Sequence, residues 1–138
     1  MIKNNIENLS KELFLPVLNY LRLQKYDQAL TLLDQLLKKK QDPDHINKIK
    51  AKIYLKKKDW KNCLLHYEKI SDLKKNFEDL NNKGVALFKL GRFSEAIINF
   101  NDTIRLNKLY VPAYTNLSKA HKLLSNFELS IKLKQKFI

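Results

Sequence analysis

Residues 82–97 read Asn82-Lys83-Gly84-Val85-Ala86-Leu87-Phe88-Lys89-Leu90-Gly91-Arg92-Phe93-Ser94-Glu95-Ala96-Ile97. With Leu80 ahead of them, Gly84, Leu87 and Phe88 recur at helical spacing, and Gly91-Arg92 then interrupts the pattern. A second helical stripe follows in Phe93, Ala96, Ile97, Phe100 and Ile104. The stretch therefore predicts two helices over residues 77–107 joined at Gly91, which suits the left-handed position just past a helix end. Ser94 and Glu95 put polar groups in the first turn of the second helix.

Phe93 is one of four aromatics at a common spacing. Tyr26, Trp60, Phe93 and Phe127 stand 34, 33 and 34 residues apart, each followed three residues later by a small side chain, Ala29, Cys63, Ala96 and Ser130. A second small column, Ala51, Gly84 and Ser118, falls on the preceding helix of a pair. Two antiparallel helices approach closely only where one presents a small side chain. The aromatics are expected to fill the space between one pair and the next. The chain thus reads as one helical-repeat domain over 1–138, with repeats at about 10–43, 44–76, 77–110 and 111–138.

The other pairs repeat the pattern less cleanly. Asp44–Lys57 pairs with Trp60–Leu73, after the turn signal Asp42-Pro43-Asp44. In 111–138, Tyr114, Leu117, Ser118 and Ala120 predict a first helix with Pro112 in its first turn. Phe127, Ser130, Ile131 and Leu133 open a second. In the first pair Tyr26–Lys39 reads as a helix, but its partner contains Pro16. Ile2, Ile6, Leu9 and Leu13 recur at helical spacing, so a kinked helix or two short ones are expected over 4–23.

Composition narrows the class. Only 2 Gly and 3 Pro in 138 residues leave little room for turn-rich β structure. One cysteine gives no disulfide framework. No apolar run approaches the ~20 residues that span a bilayer, and no secretory signal or transit peptide is read at Met1–Glu12, so the expected location is cytoplasmic. The net charge of +13 comes from 24 Lys and only 3 Arg. Bidentate phosphate and base recognition favours Arg, so a nucleic-acid partner is not expected. Lys, Asn and Ile share A/T-rich codons, so genome composition is expected to account for much of the bias, with selected anion binding as the alternative. The charge is uneven: residues 44–76 carry +6 against +1 for 77–110.

This arrangement resembles the tetratricopeptide repeat. Residues 82–97 carry that family's small, large, glycine, aromatic and alanine positions in order, and Ala51-Lys52-Ile53-Tyr54 with Asp59-Trp60 is a second match. Tyr114-Thr115-Asn116-Leu117-Ser118 is a third, and Tyr26-Asp27-Gln28-Ala29-Leu30 a partial fourth. The resemblance implies an all-α, right-handed solenoid of antiparallel helix pairs, with about four repeats and the first irregular. Four features depart from the pattern. Val17 stands at a small position, and Lys58, Gln24 and Ser125 replace the turn glycine. Lys83 replaces a leucine, and Lys108 a proline.

Chemistry is sparse. Cys63 and His66 are three apart on one helix, but two ligands do not make a zinc site, and Cys63 reads as a packing residue. No phosphate loop or nucleophile motif is present, so no catalytic residue, metal or cofactor is assigned and an enzyme is not expected.

The family builds its concave face from the first helix of each pair. By that resemblance the expected peptide-binding residues are Lys48, Lys52 and Lys56, then Asn82 and Lys89, then Asn116 and Lys119, with His45, Asn81, Val85 and Lys122 beside them. Asn82 and Asn116 would form two rungs able to clasp a peptide main chain. A chaperone-type carboxylate clamp is echoed only by Lys48, Asn82 and Asn116. The expected function is a non-catalytic module that receives an extended or acidic peptide. The alternatives are a structural subunit docked through its ends or outer face, or the repeat portion of a larger transferase. RNA reading by the related pentatricopeptide class fits the 34, 33, 34 register less well. For the docked subunit, Leu133, Phe137 and Ile138 are expected to lie open, and self-association or docking would use the C-terminal helix.

Overall fold

The computed structural model describes the backbone of residues 2–136 and, save Leu73, the side chains of 11–135. Among these residues there are seven α-helices and no strand: α1 (Ile2–Arg22), α2 (Tyr26–Lys38), α3 (Pro43–Lys56), α4 (Trp60–Glu68), α5 (Phe77–Lys89), α6 (Phe93–Leu106) and α7 (Val111–Lys136). A short 3₁₀ turn, Asp72–Lys74, follows α4. The chain is an all-α helical-repeat solenoid, with α1 packed on α2, α3 on α4 and α5 on α6.

Local chemistry sets the helix ends. Asp42 caps α3, with Pro43 in the first turn, by accepting from the Asp44 N–H at 3.0 Å. Asp59 caps α4 through the Asn62 N–H. Asn76 and Asp79 form a reciprocal capping box on α5, at 2.9 and 3.1 Å. The turns after α1, α3 and α5 share one device. Gln24, Lys58 and Gly91 take φ of 56°, 58° and 79°, and the N–H groups at and just after each return to carbonyls of the last turn. Lys40 repeats it after α2.

Two apolar clusters make the core. One joins Phe14 and Val17 of α1 to Ala29, Leu33 and Leu36 of α2 and Ile46 and Ile53 of α3. The other runs from Ala51, Cys63 and Tyr67 through Ala86, Leu87, Ala96 and Phe100 to Ala120. Ala29, Ala51, Cys63 and Ala96 are fully buried. At Gly84 an added Cβ would lie 2.5 Å from a ring carbon of Phe100, so this helix pair closes to glycine distance. Val17, at a position where the family prefers a small residue, is also fully buried. Lys83 is half-buried, and desolvation lowers its ammonium pKa.

The sequence reading needs correction at two places, α4 and 111–136. α1 is one helix containing Pro16, the first of the two forms expected. The side chains of Ile2, Ile6 and Leu9 lie outside the described residues, as do Phe137 and Ile138. α4 stops at Glu68, short of Leu73. The largest difference is in 111–136, where the expected pair is a single 26-residue helix. Ser125 lies inside α7, and Ser118, Phe127 and Ser130 are exposed where their counterparts in earlier pairs are buried or half-buried. The physical reason is packing. α2, α4 and α6 each bury a second face on the first helix of the next pair. Among the described residues nothing offers that face to 127–136, so unbroken helical hydrogen bonds win over a strained turn.

Candidate functional site

α3 touches α5, and α5 touches α7, so these first helices form one continuous inner layer. It carries the basic and amide residues expected from the sequence, and their situations differ.

Lys48 is engaged within the fold. Its ammonium lies 2.8 Å from Asp79 Oδ2 and donates to the Lys74 carbonyl. Asp79 is only 1% exposed, and the same carboxylate oxygen holds the capping box of α5. Lys48 therefore ties the second pair to the third, which the charge pattern alone did not signal. Lys52 and Lys56, one turn apart on the same helix, are exposed and have no ion-pair partner among the described residues. They flank a cavity of about 330 Å³ whose other walls are Leu18 and Leu21 of α1, Tyr26 of α2, and Ile49 and Ile53 of α3. Sequence reasoning missed this apolar hollow. The paired spacings Leu18/Leu21 and Ile49/Ile53 mark apolar stripes on α1 and α3, but not that the two stripes meet.

The amides are partly satisfied internally. Asn82 donates to the Tyr67 hydroxyl at 3.1 Å, and that phenol, fully buried, has its pKa raised by desolvation. Asn116 donates to Oδ1 of the buried Asn81 at 3.2 Å. The structure thus links Asn116 to Asn81, a residue that the reading had placed only beside the main set. Lys89 sits 5.7 Å from the centroid of Trp60, a cation–π contact between the second and third pairs. Lys89, Asn116 and Lys119 come together, with Val85, Phe88 and Phe100, around a smaller hollow of about 90 Å³. Lys122 is exposed, and His45 packs edge-on against Phe14.

Cys63 and His66 are both buried. Burial pushes the Cys63 thiol up to about 12. His66 stacks on Tyr54 at 5.4 Å and pairs through Nδ1 with Asn47 Oδ1 at 3.0 Å. Desolvation, helped by the charges of Lys69 and Lys50, lowers its pKa to about 4. Among the described residues no group of three or more His, Cys, Asp or Glu is arranged to hold a metal ion.

A family model described as anaphase-promoting complex, cyclosome, subunit 3 matches residues 22–103. The chain belongs to this tetratricopeptide-repeat family. No curated protein matches it in sequence. Solved tetratricopeptide structures share the fold. MamA of AMB-1 is 21% identical with a TM-score of 0.72, over 87% of this chain and 66% of MamA, so the chain spans a little under two thirds of that relative. The C-terminal tetratricopeptide domain of a Plasmodium falciparum FK506-binding protein is 18% identical, TM-score 0.74, over 86% and 90%. The first tetratricopeptide domain of Spaghetti (RPAP3), bound to the HSP90 peptide SRMEEVD, is 19% identical, TM-score 0.75, over 84% and 93%. At these identities the likeness is one of fold.

Proposed function

We propose that this chain is a non-catalytic protein-interaction module that binds an extended, acidic peptide segment along the inner layer of α3, α5 and α7. The observation that carries the reading is the pair Lys52 and Lys56, exposed and unpaired among the described residues beside an apolar hollow. Lys89, Asn116 and Lys119 extend the same basic and amide character along the layer, and Asn82 continues it. Lys48 serves the fold instead. The Spaghetti domain, which holds an acidic HSP90 peptide on a similar scaffold, supports the class of ligand. We assign the module to the cytoplasm; no described helix is long and apolar enough to cross a membrane.

The test is fluorescence anisotropy with labelled acidic and neutral peptides. Affinity for the acidic peptide should be on the order of micromolar and should weaken as salt rises. The double variant Lys52→Glu/Lys56→Glu should lose it. Equal binding of acidic and neutral peptides, or binding untouched by the double variant, refutes the assignment.

A second reading has its own observation. Leu123, Phe127, Leu129, Ile131 and Leu133 of α7 are 39–57% exposed. Such a surface suits docking through the C-terminal helix, to another subunit or another copy. Light scattering across concentration tests the self-association arm: a strict monomer counts against it.

A further inference from the structure

The hollow beside Lys52 and Lys56 narrows the ligand further. Leu18 and Leu21 on α1 and Ile49 and Ile53 on α3 line about 330 Å³, and the exposed Lys52 and Lys56 line it with them. That volume lies at the low end of ligand pockets, roughly 300–1,000 Å³. It suits one large side chain rather than a whole helix. Leu18 is 54% exposed, so an apolar wall is left in water that an incoming group would cover. The lysine stems run along apolar surface while their charged heads reach water.

We propose that this hollow seats a single apolar side chain of the bound segment, leucine- to phenylalanine-sized, with two carboxylates within two residues of it held by Lys52 and Lys56. The inference rests on the acidic-peptide reading and adds an anchor to it. Charge complementarity commits the occupant: two lining lysines without an ion-pair partner among the described residues call for anions, and four aliphatic walls call for a hydrocarbon between them. A nucleic-acid strand offers the anions but no aliphatic group for the hollow, and the one aromatic in its walls, Tyr26, gives no run of stacking platforms.

The probe is a labelled seven-residue peptide of aspartates around one central leucine, compared with the same peptide carrying serine at the centre. Both are titrated against the full chain by anisotropy. The leucine peptide should bind about tenfold more tightly or better. Because this change is made in the peptide, no folding defect can imitate it. Leu18→Asp, at an exposed position, should erase the difference between the peptides, with circular dichroism unchanged. Lys52→Glu/Lys56→Glu should weaken both. If both peptides bind alike and both still need the lysines, the anchor is wrong and the acidic groove stands. If neither binds, both readings fall. A single-stranded RNA oligomer that binds more tightly than either peptide, and is indifferent to Leu18→Asp, also overturns the proposal.

Discussion

Lys48 Nζ lies 2.8 Å from Asp79 Oδ2, joining the second helix pair to the third through a carboxylate that is 1% exposed. The other oxygen of Asp79 has no hydrogen-bond partner among the described residues. A buried carboxylate with one cation to balance it is strongly dependent on that cation.

Lys48→Met should therefore destabilise the fold by about 3 kcal/mol, because it leaves the charge of Asp79 buried and unpaired. Urea unfolding followed by circular dichroism measures it. Adding Asp79→Asn should recover part of the loss. A Lys48→Met protein as stable as the parent would show that the pair is incidental.

Gly84→Ala should cost about 2 kcal/mol, since the new methyl would overlap the Phe100 ring and the pair cannot close. Phe100→Leu made alongside it should cost less than the sum of the two single changes. Strict additivity in the thermal melts would deny the contact.

Backbone strain gives a gain rather than a loss. Lys58 holds φ at 58° and carries a Cβ there. Lys58→Gly should stabilise by about 1 kcal/mol. Gly91→Ala, where a Cβ meets nothing within 4 Å but φ is 79°, should destabilise by a similar amount, about 1 kcal/mol, through strain alone. Calorimetric melting of both variants checks the pair of signs.

His66 makes stability depend on pH. Its folded pKa is lowered from 6.5 to about 4, so between these values the unfolded chain binds the proton and the folded chain does not. Stability contributed by the neutral ring is complete above pH 6.5 and is lost as pH falls toward 4, by about 3 kcal/mol in all. His66→Gln should flatten that slope. Urea midpoints measured across this window decide it, and an unchanged slope in the variant would locate the proton elsewhere.

The repeat columns were legible because packing imposes them. Tyr26, Trp60 and Phe93 each open a helix, and Ala29, Cys63 and Ala96 are each fully buried one turn on. The fourth column member, Phe127, failed as a helix start because a column records a face, not the presence of something to receive it. The internal partner of Lys48 was hidden for a related reason. Nothing in its own spacing with Lys52 and Lys56 tells that Asp79, a helix away, claims it. The hollow beside Leu18 was hidden because its walls come from three helices whose relative placement no local pattern encodes.

α7 has a mechanical side as well. Its 26 residues form one rod of about 39 Å. Asn116 and Lys119, on its packed end, border the inner layer. Phe127, Leu129 and Leu133 ride the same rod about one to three turns past Leu123. No hinge separates the two ends, since Ser125 keeps the helical conformation where Gln24, Lys58 and Gly91 break it. A rigid rod carries a load from one end to the other, so a partner that took hold of Phe127 would pull on Asn116 and Lys119 as well.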